Sequence, residues 1–278
     1  MPWLVEFVSM TGHCLSKLVK PQILCLFLLL ASLVPIALNA QARTEDTIAS
    51  STQMLVVTTP DWNAVEGRLQ RFERANPHKK WKPVGEPAAV VVGKNGLGWG
   101  SGLIAVDDPK IRAASDPLKK EGDGRAPAGI FALSKAFGYA PQPLPGWKMP
   151  YVNLTTSVEC VDDTTSKFYN RVIDRATVAP DWNSSEHMLR SDELYRWGIV
   201  VDHNANPPEP GGGSCIFLHI WRGAGQGTVG CTAMPQEQLE SVLAWLDPAR
   251  GPLLVQMPAA QYERLRKHWK LPDLKAAH

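Results

Sequence analysis

Cysteine and histidine are the side chains in this sequence best suited to shared covalent chemistry, and one pair stands out by its setting. His219 lies near the end of an apolar run over 215–221. Cys231 closes Thr228-Val229-Gly230-Cys231, after a loop holding Gly223, Gly225 and Gly227. The thiolate is the nucleophilic form of cysteine, and a free thiol is mostly protonated at neutral pH. A neighbouring imidazole can take that proton, and a helix starting a few residues on would favour the negative charge. Gly230 has no Cβ, so a substrate can approach closely and backbone N–H groups there can face an oxyanion. Such a set supports acyl transfer through a thioester. The plainer alternative is a buried cysteine beside a structural histidine, the common fate of both types. The Gly-rich loop and the turn toward a helix weigh against it.

The elements that must position this pair read mostly as strands. Alternation over 215–221 puts Cys215, Phe217, His219 and Trp221 on one face and Ile216, Leu218 and Ile220 on the other. Earlier strands are expected at 53–59, 88–93, 99–106, 130–133 and 197–202. Lys94-Asn95-Gly96 would be a hairpin turn, and 204–213 a Pro/Gly loop. Asn63 with Glu66 resembles a capping box, predicting a helix that ends near Asn76-Pro77. Leu239, Val242, Leu243 and Leu246 mark one face of a helix entered at Pro235. A last strand, 253–257, precedes a C-terminal helix over 259–278. These elements describe one mostly-β domain with a few helices, spanning 53–258.

At 278 residues, with 44% hydrophobic and 20% charged residues, the chain can bury a real core. A net charge of +2 excludes a nucleic-acid footprint. No CxxC or HxxxH is present, so neither a metal nor a cofactor is expected. Lys17 and Lys20 precede an apolar run over 23–38 and then Ala40-Gln41-Ala42, the pattern of a secretory signal over 1–42. An uncleaved anchor is the alternative, and only then would a membrane be a partner. A flexible polar lead-in is expected over 43–52. Export to an oxidising, periplasm-like compartment would leave Cys160, Cys215 and Cys231, an odd count that suggests one disulfide and one free thiol. Three pairings are open.

At these residues the chain resembles the YkuD-type L,D-transpeptidases, whose signature is a strand-end His, a loop, and [Ser/Thr]-x-Gly-Cys. Thr228-Val229-Gly230-Cys231 and His219 match it. Gly122-Asp123-Gly124-Arg125-Ala126-Pro127-Ala128-Gly129-Ile130-Phe131 is similar to the family's GDG-x-TPAG-x-F segment, and Val200-Val201-Asp202-His203-Asn204 to the strand before its active-site loop. The resemblance implies a β-sandwich catalytic domain, Cys231 as nucleophile, His219 as base, and the Ile220 carbonyl as the group orienting the imidazole. It also implies peptidoglycan stem peptides as substrate. A free Cys231 would leave Cys160 and Cys215 to pair. Thr228, Val229, Trp221, His203 and Arg222 are the candidate substrate contacts. The sequence departs from the family in a shorter His–Cys loop and in Val229 where a polar residue is common. It also carries Thr232-Ala233-Met234 where many members have an Arg, with Arg222 or Arg125 as possible replacements. This last form resembles a branch with hydrolytic members, so an amidase using the same residues is the alternative, and a non-catalytic wall-binding protein the second. Oligomeric state is not legible.

Overall fold

The computed structural model describes residues 47–274, so the leader expected over 1–42 lies outside the described residues. The strands are β1 (Gln53–Thr59), β2 (Glu66–Glu73), β3 (Lys82–Val91), β4 (Leu97–Trp99), β5 (Ala126–Gly138), β6 (Tyr151–Asn153), β7 (Val158–Val161), β8 (Val172–Asp174), β9 (Ser185–His187), β10 (Trp197–Val201), β11 (Phe217–Ile220), β12 (Thr232–Met234) and β13 (Leu253–Pro258). Two helices, α1 (Gln236–Trp245) and α2 (Ala259–Leu265), follow the site. The mostly-β expectation holds. No helix among the described residues is long and apolar enough to cross a membrane.

The expected sandwich is not what the pairing makes. Eight strands join in the order β10-β11-β12-β3-β2-β1-β13-β5, and β5 then pairs with β10, closing the sheet into a barrel. β5 makes closure possible by its length. It pairs with β13 through residues 129–132 and with β10 through residues 133–138, and a bulge between Ile199 and Val201 bends the second pairing. β1 reads Met-Leu-Val-Val because both of its faces are buried, and it lies parallel to β13. β7, β8 and β9 form a separate small sheet.

The helix expected after Asn63 is a strand, β2. Leu69 and Phe72 are both buried three residues apart, which mimics a helical face. A bulge between Leu69 and Arg71 shifts the register between them, so a strand can bury both. The capping box is also absent: the Asp61 carboxylate, not Asn63, accepts the N–H groups of Asn63 and Ala64. The turn at 94–96 does reverse the chain, with Gly96 N–H donating to the Gly93 carbonyl at 2.7 Å. Its return strand is only β4, however, and pairs parallel with β5. The expected strand over 99–106 therefore stops at Trp99. The lead-in is packed from residue 47: residues 47–50 are helical, Ile48 is buried, and Arg74 donates to the carbonyls of Ile48 and Ala49. α1 buries the expected Leu239, Val242 and Leu243. α2 ends at Leu265, shorter than the C-terminal helix expected.

Candidate functional site

β11 and β12 run parallel, with Leu218 opposite Thr232 and His219 opposite Ala233. Cys231 stands just before β12, and its face is that of Phe217 and His219, two steps apart on β11. The alternation expected for β11 holds. Ile216 and Leu218 belong to the main core, whereas Cys215, Phe217 and Cys231 belong to a second, smaller core with Phe137, Cys160 and Tyr195. That smaller core also takes in Val158 and Cys160 of the small sheet, which thereby covers this face.

Cys160 and Cys215 form the disulfide, with Cα atoms 5.9 Å apart, and Cys231 is free. Its sulfur accepts from Phe217 N–H at 3.3 Å and its thiol points to the Cys215 carbonyl at 3.5 Å. No hydrogen bond joins it to His219, although the two share a face. His219 Nδ1 lies 2.7 Å from the Ile220 carbonyl, as the resemblance implies. A carbonyl only accepts, so Nδ1 carries the proton and a neutral imidazole keeps its basic lone pair on Nε2. Cys231 is 4% exposed and His219 6%. Burial pushes the thiol up to about 12, with the Glu186 carboxylate adding to the rise, and pushes the imidazole down to about 4.

The motif segments meet around this pair. Thr228 N–H donates to the Val92 carbonyl, and Lys94 N–H to the Thr228 carbonyl, which stitches the Thr-Val-Gly-Cys segment to the turn after β3. Asn95 N–H and its side chain reach Gly124 and Asp123 of the Gly-Asp-Gly segment. A Cβ on Gly230 would meet the Arg125 carbonyl at 3.3 Å and Ile216 at 3.4 Å. The glycine thus lies in close contact with both segments. Its N–H donates to Thr228 Oγ1 at 3.1 Å, and that hydroxyl donates to the Cys231 carbonyl. An oxyanion held by Gly230 would have to displace that hydroxyl. The helix expected a few residues after Cys231 is α1, with the short strand β12 between them.

Of the expected substrate contacts, Val229 is 75% exposed on the loop, Trp221 is half-buried, and Arg222 is exposed with Asp192 at 3.5 Å. His203 is buried instead among loops, its ring nitrogens at the Ser101 and Gly212 carbonyls, which is a structural role. Arg125 is committed to the carbonyls of Trp62 and Leu97. A cavity of about 260 Å³ borders the Cys160–Cys215 disulfide and Phe217, lined also by Lys135, Arg171 and Asp202. Sequence reasoning missed Glu186, Arg190 and Tyr195, which close over the pair. Their only signal was the density of charge around Tyr195, which carries no periodicity. Compared with protein-family models, curated proteins and solved structures, the chain has no match.

Proposed function

We propose that this chain is an exported cysteine acyltransferase of the L,D-transpeptidase kind, acting on peptidoglycan stem peptides. The observation that carries the reading is a free thiol on the same sheet face as an imidazole whose Nδ1 is spent on a backbone carbonyl, leaving Nε2 as a base. The meeting of the Gly-Asp-Gly and Thr-Val-Gly-Cys segments beside that pair supports it. The Cys160–Cys215 disulfide supports export to an oxidising compartment. Membership of the YkuD family belongs to this proposal.

In the reaction, Cys231 Sγ attacks a stem-peptide carbonyl while its proton passes to His219 Nε2. The tetrahedral intermediate collapses to a thioester, and the departing amine takes the proton from the imidazolium. An acceptor amine then attacks the thioester, gives up its proton through the same nitrogen, and frees the thiol. A pair as buried as this one meets a stem peptide only after the small sheet moves aside and Cys231 turns from Phe217 toward the ring.

The second reading is an amidase with water as acceptor. It is favoured by Thr232, Ala233 and Met234, all buried in β12, where no side chain is available to hold a substrate carboxylate. Muropeptide mass spectrometry with purified protein separates the two: cross-linked dimers are expected for transfer, released stems or amines for hydrolysis. Cys231→Ala should abolish the product and any thioester mass. A Cys231→Ala protein that still forms product would sink both readings, and one that keeps full wall binding and phenotype would point to the non-catalytic alternative.

A further inference from the structure

Neither the motifs nor the mechanism uses Tyr195, yet it is the residue packed on the imidazole. Its ring meets the His219 ring edge-on, with centroids 5.1 Å apart and planes at 69°. It packs in the same way on Phe217 at 5.6 Å and Phe137 at 5.7 Å. Its hydroxyl donates to Glu186 Oε1 at 2.7 Å, and Arg190 lies over its face at 5.1 Å with Nη1 3.3 Å from that same carboxylate oxygen. Edge, face and tip of the ring are all held. One residue earlier, the Leu194 carbonyl accepts from Ile220 N–H at 3.1 Å. The other backbone polar group of that residue, the Ile220 carbonyl, is the one that holds His219 Nδ1. The 194–195 segment therefore meets the base twice, at its ring and through Ile220, the residue whose carbonyl anchors it.

We infer that Tyr195 is a positioning residue for His219, its edge contact and the adjoining Leu194–Ile220 bond fixing the imidazole in the orientation that leaves Nε2 basic. The inference rests on the reading of His219 as the base. Aromatic edge contacts are worth about 0.5–1.5 kcal/mol beyond burial, enough to bias a ring that is otherwise held by a single hydrogen bond. A plain filler of the smaller core would tolerate any large apolar side chain at this place. A positioning edge would not.

The test is nitrogen-detected NMR of the oxidised full chain labelled with ¹⁵N-histidine, read together with kcat and KM for stem-peptide turnover. Wild type should show a single Nδ1–H tautomer for His219. Tyr195→Phe, which keeps the ring and loses the hydroxyl, should retain that tautomer and most of kcat. Tyr195→Met, which fills the volume without an aromatic edge, should average the two nitrogens and lower kcat by up to about tenfold, with KM little changed. A folded Tyr195→Met protein with the wild-type tautomer and kcat would overturn the inference. Should that variant not fold, contacts between the Tyr195 and His219 ring protons in wild type decide: their presence supports the inference and their absence overturns it. An inactive wild-type chain with a fixed tautomer would sink the proposed function and leave the positioning role standing.

Discussion

Cys231 and His219 are each held in the uncharged form by the same burial that hides them. A thiolate–imidazolium pair has no solvent here to stabilise it, so in the proposed reaction the proton would move with the attack rather than before it. Two titrations follow, with opposite signs. His219 sits at about 4 against an ordinary 6.5, so its contribution to stability is complete above 6.5 and is lost as pH falls through about 4. Cys231 sits at about 12 against an ordinary 9.0, so its contribution is complete below 9 and is lost as pH rises toward 12. Urea denaturation of wild type and Cys231→Ala at pH 8 and pH 10 isolates the second. Between those pH values wild type should lose on the order of 1 kcal/mol more than the variant, and equal losses would mean that the thiol is not so deeply buried. The shared face of Cys231 and His219 was legible because strand alternation is local, and so was the Ile220 carbonyl contact. The Thr228 hydroxyl that takes the Gly230 N–H was not legible, since no spacing rule foretells it.

Elements show a similar division. β1, β11, α1 and β13 were legible because their burial follows a clean period or an unbroken apolar run. β2 was not, since its bulge imitates helical spacing, and the small sheet was not, since its short strands carry little pattern. That sheet matters to access. Cys160 lies on β7 and Cys215 just before β11, so the disulfide ties the cover to the strand bearing His219. Cutting the tie should let the cover open more often. In the Cys160→Ser/Cys215→Ser protein, iodoacetamide should alkylate Cys231 about tenfold faster than in oxidised wild type, a change of roughly 1.4 kcal/mol in the opening equilibrium. Time-resolved intact mass measures this directly. An unchanged rate in a folded variant would show that the cover is held by its other contacts alone.

Barrel closure belongs to the whole molecule, and nothing in the sequence announced it, because closure depends on β5 pairing on both sides across a bulge. The interior carries a polar bridge of the same long-range kind. Gln256 of β13 is wholly buried, accepts from Thr232 Oγ1 of β12 at 2.7 Å, and donates to the Pro127 carbonyl of β5 at 2.8 Å. β12 and β13 are not neighbours in the sheet, so this amide spans the barrel and fastens the residue that follows Cys231. Gln256→Leu would strand both the Thr232 hydroxyl and the Pro127 carbonyl, at about 1–3 kcal/mol for each buried group left unpaired. Thr232→Val alone would strand the Gln256 oxygen at a similar cost. In the double variant the hydroxyl and the amide oxygen disappear together, so its loss of stability should fall short of the sum of the two by about 1 kcal/mol or more. Urea denaturation of the three proteins completes the cycle, and strictly additive losses would mean that the bridge does not couple the two sides of the barrel.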